Sequence, residues 1–183
     1  MKKHLVASAA VLAMAMPFAA TADINYSFVE LDYILFDDDD DTNAYRLKGS
    51  FAITDNIFIL GDYTTFDLDE GDFDTVSLGV GYRHGINEQL DLYGALSIEY
   101  VDADIDDDTG LGLRAGARFM VMPQLELKGE LHHINDVFEE DTTLVTLGGQ
   151  FLFTPAIGAV LEYTADTDSD GDNAIILGGR FNF

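Results

Sequence analysis

The sequence predicts an all-β fold, an up-and-down antiparallel barrel of ten strands, and two observations support this prediction. Hydrophobic residues alternate with small or polar ones over stretches of about ten residues, which is the period of a β-strand. The connections between these stretches alternate along the chain between short, nearly neutral ones and strongly acidic ones. Because alternate connections of a meander lie at opposite ends, we expect one quiet end and one negative end.

The N-terminal residues precede the predicted barrel. Lys2 and Lys3 are followed by an apolar run over residues 5–16 and by a small-residue triplet, residues 20–22. This pattern predicts a secretory signal peptide over residues 1–22, because the run is too short for a membrane-spanning helix of about 20 residues. The barrel domain is then residues 23–183.

Ten strands follow in order, separated by turn-forming residues. The first changes phase near Phe28 and Val29, which indicates either a β-bulge or a start that lies later than predicted. The predicted strands are residues 24–36, 44–53, 57–67, 75–84, 90–101, 111–121, 125–134, 143–153, 156–165 and 174–183.

Composition excludes several function classes. The chain has 34 acidic and 9 basic residues and a net charge of −25, so phosphate backbones would repel it and nucleic acid is not a partner. It has no Cys, which excludes disulfides, thiolate metal sites and cysteine nucleophiles. The 13 Phe and 8 Tyr argue against disorder.

Each strand has one large apolar face and one small or charged face. A soluble barrel would turn the apolar face inward, whereas a membrane barrel turns it to lipid. Every basic residue after residue 22 falls on the small face beside acidic ones, which favours a closed lumen of paired ions and hence a membrane-spanning barrel. The predicted lumen charge network is Glu30, Asp32, Arg46, Lys48, Asp62, Arg83, Asp91, Glu99, Arg114, Arg118, Glu126, Lys128, Glu130, His132, Glu162 and Arg180.

Aromatic residues on the apolar face cluster at two depths, as expected at the two interfaces of a bilayer. Toward the acidic connections lie Tyr33, Tyr45, Tyr63, Tyr100 and Tyr163. Toward the short connections lie Phe51, Tyr82, Phe119, Phe151, Phe153, Phe181 and Phe183.

With these girdles, the leader and an alternating final strand that ends in Phe183, the chain resembles small outer-membrane β-barrel proteins of the OmpA/OmpX-like class. The resemblance implies a Gram-negative outer membrane, periplasmic termini, contact with outer-membrane lipid and lipopolysaccharide, and recognition of the final strand by the outer-membrane assembly machinery. The best-known members have eight strands, so eight is the alternative to ten. No functional residue is transferred from the class.

The acidic connections are candidates for binding divalent cations, or else are solvated caps. Residues 166–172 begin like a calcium loop, but Leu177 stands where an EF-hand has its bidentate Glu. The candidate ligands for loosely bound Ca²⁺ or Mg²⁺ are Asp166, Asp168, Asp170 and Asp172. No other cofactor is expected.

We do not expect an enzyme. His132 and His133 are adjacent and therefore point to opposite faces of a strand, so they cannot form one metal site. A hydrolase that acts on lipid would need a Ser within reach of a His on the lipid side. The residue two positions after His133 is Asn135 and not a Ser. The connections are also shorter than a barrel protease needs to shape a substrate cleft.

Two functions remain open. One is a small porin-like channel that prefers cations, because ten strands enclose a wider lumen than eight and the mouth is acidic. The other is a closed structural or surface-interaction barrel, for cation binding or adhesion, without transport. The many inward charges favour a plugged lumen, but they could also line a thin water path.

Overall fold

The computed structural model describes residues 24–37, 43–67, 72–103, 106–137, 140–167 and 173–183. Ten antiparallel strands form one closed barrel, in which each strand pairs with its neighbours in the chain and the first pairs with the last. This confirms the predicted fold with ten strands. The strands are β1 (Phe28–Phe36), β2 (Asn43–Ala52), β3 (Ile57–Asp67), β4 (Asp72–Asn87), β5 (Leu90–Ala103), β6 (Asp106–Met122), β7 (Leu125–Val137), β8 (Glu140–Leu152), β9 (Ile157–Asp166) and β10 (Ala174–Asn182).

Four short connections define one end of the barrel, which we call the short-turn end: residues 53–56, 88–89, 123–124 and 153–156. Two of them close in the same way, because Thr54 Oγ1 and Thr154 Oγ1 each accept a hydrogen bond of 3.0 Å from the backbone N–H three residues later. β1 begins and β10 ends at this end. The opposite end, where the other connections lie, is the acidic end.

Three strands begin three or more residues earlier than predicted, because their ladders continue into the acidic residues. β4, β6 and β8 begin at Asp72, Asp106 and Glu140. Alternation cannot mark these extensions, since both faces are polar beyond the membrane. A strand needs about 9–11 residues to cross a bilayer, and β6 has 17. The barrel wall on the β4–β7 side therefore extends beyond the bilayer at the acidic end.

The predicted start of the first strand is wrong. β1 begins at Phe28, and residues 24–27 precede it without strand structure. Ile24 and Tyr26 are nonetheless buried inside the barrel mouth, in phase with the inward residues of β1. The change of phase therefore marks a misplaced start and not a bulge, because the lumen is apolar at this depth.

The molecule has an apolar exterior and a polar interior. Leu78 and Leu96 are 66% and 64% exposed on the outside, whereas Glu30 is fully buried inside. The aromatic rows face outward at both ends, and Phe183 stacks on Phe51 and Phe181 with ring centroids 6.4 Å and 6.3 Å apart. Among the residues that the structure describes, there is no helix long and apolar enough to cross a membrane.

Candidate functional site: the barrel lumen

The structure brings the residues of the predicted lumen charge network together. Seven basic side chains and eight carboxylates face inward, and every one of the fifteen has an oppositely charged partner within 4.0 Å. His132 adds a contact of 3.2 Å from Nε2 to Glu99 Oε1. The network consists of three groups of ion pairs: one beside the seam between β1 and β10, one across the lumen, and one near the short-turn end.

The first group lies beside the seam between β1 and β10. Asp32 Oδ2 accepts a hydrogen bond of 2.8 Å from Arg46 Nε and lies 2.7 Å from Arg46 Nη2 in an ion pair. Arg180 Nε donates to Glu30 Oε2, and Arg180 Nη1 donates to Gln150 Oε1 at 2.9 Å. Side-chain pairs thus tie the two strands that close the barrel from the inside.

The second group crosses the lumen. Glu162 on β9 lies 3.6 Å from Arg46 Nη2 on β2 and 3.2 Å from Lys128 Nζ on β7. From the other side, Arg114 Nη2 on β6 lies 3.1 Å from Asp62 Oδ1 on β3. These partners belong to strands that are not hydrogen-bonded to each other, so the ion pairs span the lumen from wall to wall.

The third group lies near the short-turn end. Arg118 Nε and Nη2 donate to the two oxygens of Glu126 at 2.7 Å and 3.0 Å, a bidentate pair that is the strong form of this contact. Arg83 Nη1 lies 3.3 Å from Asp91 Oδ2 and is less buried than the other guanidiniums.

The described residues enclose an outer and an inner cavity in the lumen, one on each side of the crossing charges. The outer cavity, toward the acidic end, has a volume of about 210 Å³. The inner cavity, toward the short-turn end, has about 50 Å³. Four side chains line both cavities and form the wall between them, which we call the partition: Lys48, Arg114, Lys128 and Glu130.

An apolar cluster closes the lumen below the inner cavity, and the sequence reasoning missed it. Tyr26 packs against Phe58 with ring centroids 4.7 Å apart, and Ile24, Met120 and Leu152 complete the cluster. The signal that could have found it is the set of large apolar residues in the inward phase near the short turns. Such residues interrupt an inward face that is otherwise small or charged.

A second apolar cluster lies on one side of the lumen at the acidic end. Ile34, Ala44, Ala174 and Ile176 are buried there on β1, β2 and β10. Phe36 and Phe66 pack against them with ring centroids 5.9 Å apart. The paired charges therefore occupy the middle of the lumen, with apolar side chains above and below.

Of the predicted cation ligands, Asp166 lies at the end of β9, whereas Asp168, Asp170 and Asp172 lie outside the described residues. The predicted signal peptide also lies outside them. In the described part of the chain, no group of three or more acidic or His side chains is arranged to hold a metal ion. The cation site therefore stays a prediction.

The two adjacent histidines point to opposite sides of the wall. His132 faces the lumen, whereas His133 Nδ1 lies 2.8 Å from Thr143 Oγ1, its neighbour across the β7–β8 ladder. Asn135 Nδ2 donates to Asp141 Oδ1 at 3.1 Å. The Asn135 amide is thus held by a carboxylate on the neighbouring strand β8.

Fold and lumen together define an outer-membrane β-barrel protein, with lipid-facing aromatic girdles and ions enclosed in the interior. The chain belongs to the family described as outer membrane protein beta-barrel domain, whose model matches residues 5–182. The protein is therefore an outer-membrane protein, and the resemblance drawn from the sequence is confirmed.

Solved structures show the same fold at low sequence identity. The KdgM porin is 8% identical, with a TM-score of 0.53 over 85% of this chain and 99% of the porin. An outer membrane channel from Pseudomonas putida is 11% identical, with a TM-score of 0.54 over 92% of this chain and all of the channel. No curated protein matches this chain in sequence at a significant level.

Proposed function

We propose that this protein is an outer-membrane barrel whose lumen is closed at rest and whose working surface is its acidic end. The observation that carries the proposal is the partition, which separates the two lumen cavities with paired charges. In this role the barrel is a structural anchor that presents carboxylates for cation binding or adhesion, and it is not an enzyme.

The energetics of the network support a closed resting state. Removing one partner of a buried ion pair costs about 3–5 kcal/mol, because the other charge is left unpaired in a poorly solvated place. Arg114, Lys128 and Glu162 are each less than one-seventh exposed, and their partners lie across the lumen. An open water path would have to separate several such pairs at once.

A cation-preferring channel is the second candidate, and the two cavities favour it. The residues shared by their linings are four with flexible, charged side chains. Lys48 Nζ has one carboxylate partner, Glu30 Oε1 at 3.6 Å, so its flexible stem can leave the partition at lower cost than a bidentate guanidinium. Carboxylates at the acidic end would then concentrate cations at the mouth.

The orientation belongs to the same proposal. Long polar connections face outward and short turns face the periplasm in barrels of this kind. The acidic end would then meet lipopolysaccharide, with Ca²⁺ or Mg²⁺ loosely bound, and both termini would be periplasmic. The assembly machinery would recognise β10 with Phe183, whose side chain is 57% exposed on the lipid side.

Recording currents from purified protein in planar bilayers tests the closed state. The native protein should be silent for long periods. Replacing Lys128 and Glu162 together by Met and Gln removes one charge of the partition together with its partner across the lumen, and should produce brief openings. Steady current through the native protein would contradict the closed resting state and support the cation-preferring channel instead.

A further inference from the structure

Residues 24–27 lie across the mouth of the barrel at the short-turn end. On one side, Ser27 O accepts a hydrogen bond of 3.0 Å from Phe183 N, and Ser27 Oγ accepts one of 3.2 Å from Ala52 N. On the other side, Ile24 O accepts a hydrogen bond of 3.1 Å from Arg83 Nη1 on β4. The segment therefore reaches from the β1–β2 side to β4 over the end of the lumen.

Tyr26 is the part of this segment that enters the lumen. The carbon of the Arg118 guanidinium lies 4.4 Å from the centre of its ring, and that of Arg83 lies 4.9 Å away. The Tyr93 ring meets it edge-on at 6.3 Å, and the side chain is 4% exposed. Two cation–π contacts and two ring contacts thus seat Tyr26 in the mouth.

The barrel does not need this segment to close its sheet. The ladder between β1 and β2 begins at Phe28, and so does the ladder between β1 and β10. Residues 24–27 are held by the two hydrogen bonds that Ser27 accepts, by the one that Ile24 O accepts from Arg83, and by side-chain contacts. They can leave the mouth without unpairing either ladder.

The inner cavity lies directly behind Tyr26. Its lining includes Tyr26, Phe58 and Tyr93 toward the short-turn end and the partition on the far side. We propose that residues 24–27 form a stopper, a detachable N-terminal plug that controls access to the inner cavity from the short-turn end. The proposal rests on the closed lumen proposed above and adds a second barrier, independent of the partition.

Labelling of a single cysteine in the inner cavity tests the stopper. Ser50 lines this cavity and is 8% exposed, and its hydroxyl has no hydrogen-bond partner among the described residues, so Ser50→Cys breaks no such bond. The chain has no native Cys, so the label is unique. The probe is a small, charged, water-soluble thiol reagent added to the folded protein in lipid vesicles.

Combined with Ser50→Cys, Tyr26→Ala should raise the labelling rate about tenfold or more, because two cation–π contacts and the ring itself are lost. Tyr26→Phe should label as slowly as the native background, since it keeps the ring face. Tyr33→Ala is the matched control, because Tyr33 lies on the outer surface of β1 and should leave the rate unchanged.

Equal labelling rates for Tyr26→Ala and the native background would overturn the stopper. Should Tyr26→Ala not fold, Tyr26→Leu takes its place and must label faster than Tyr26→Phe, since it has apolar bulk but no ring face. Labelling does not require ions to pass the partition. Current through the native protein would therefore refute the closed lumen, whereas unchanged labelling in a silent barrel would refute the stopper alone.

Discussion

Gly178 lies directly opposite Asp32 in the ladder between β10 and β1, and the Asp32 carboxylate occupies the space that a Cβ on residue 178 would take. A side chain at this position would collide with Asp32 Oδ1. Asp32 is 2% exposed, accepts a hydrogen bond from Arg46 Nε and is ion-paired with Arg46 Nη2. The glycine is therefore what lets a buried carboxylate lie flat against the wall of the lumen.

We expect Gly178→Ala to destabilise the barrel by about 1–3 kcal/mol, because the added methyl group overpacks the site and pushes Asp32 off Arg46. Denaturant unfolding of the lipid-embedded protein measures the change. Gly179→Ala is the matched control, since a Cβ there meets nothing within 4 Å, and it should stay within about 0.5 kcal/mol of native. Equal effects of the two variants would show that the space over Asp32 is not limiting.

Removing either partner of the Glu30–Arg180 pair, which joins β1 to β10, should destabilise the barrel. Arg180→Met and Glu30→Gln should each lower the free energy of unfolding by about 3–5 kcal/mol, because each leaves a polar partner unsatisfied in the lumen. The double variant should lose less than the sum of the two, by about 1–3 kcal/mol.

Arg83 and Asp91 provide the comparison for this pair, because the Arg83 side chain is 27% exposed. Asp91→Asn should cost about 1 kcal/mol or less, because Arg83 is partly exposed and keeps its hydrogen bonds to Asp55 O and Ile24 O. Urea titration of all four variants under one condition gives the comparison. Additive losses for Glu30 and Arg180 would mean that the seam pair does not act as a unit.

Ordered water should fill the inner cavity. Its volume of about 50 Å³ has room for about three to five water molecules. Three residues that line it each have a buried polar atom without a hydrogen-bond partner in the described parts of the chain: the Tyr26 hydroxyl, Ser50 Oγ and Arg114 Nε. A high-resolution crystal structure should show water within hydrogen-bond distance of all three.

The effect of Tyr26→Phe on the stability of the barrel provides a second test for water at the Tyr26 hydroxyl. If the Tyr26 hydroxyl bonds to water, Tyr26→Phe should destabilise the barrel by about 1 kcal/mol. If the hydroxyl is truly unpaired, its removal should instead stabilise the fold. Tyr82→Phe, on the lipid-facing surface, is the control for loss of a hydroxyl elsewhere.

The final strand should need its terminal aromatic ring for assembly. Phe183 faces lipid, whereas Asn182 is 5% exposed on the lumen side. Phe183→Ala should reduce the amount of folded protein in the outer membrane more than Asn182→Ala, because the apolar row of β10 is the part that can be recognised from outside. Quantification of folded and unfolded protein in isolated outer membranes would decide, and equal assembly would contradict the role of Phe183.

If the lumen conducts, its preference for cations should weaken with salt. The Debye length falls from about 10 Å at 0.1 M to about 3 Å at 1 M, so selectivity that arises from exposed carboxylates at the acidic end should fall over this range. Neutralising residues 37–41 together with the acidic residues among 104–108 should lower it further. Reversal potentials under a salt gradient measure both effects, and an unchanged preference would place the selectivity in the lumen.

Alternation alone predicted most of the fold, because every residue between Leu90 and Tyr100 meets either lipid or lumen. It failed where that contrast disappears. Asp74, Asp102 and Asp107 were predicted to lie in connections, yet they face one another in the ladders of β4, β5 and β6. Beyond the bilayer both faces meet water, so no periodicity marks how far the strands continue.

The lumen shows the same limit. Confinement of the basic residues to one face indicated that they line the interior, but not which carboxylate each would meet. Glu162 contacts Arg46 three strands away, a distance set by barrel curvature and side-chain length. The cluster around Tyr26 was hidden for another reason, since an apolar residue in the inward phase reads as a change of register.

The seam between β1 and β10 has a consequence for how the barrel forms. Phe28 pairs with Asn182, and the Glu30–Arg180 bond joins residues 150 positions apart. Until β10 is in place, β1 presents a row of unpaired backbone N–H and C=O groups, which hydrocarbon cannot satisfy. Contacts of such separation form late and slowly, so sealing of the cylinder and entry into the bilayer are one coupled step. An intermediate without β10 is an open sheet that must be shielded by something other than lipid.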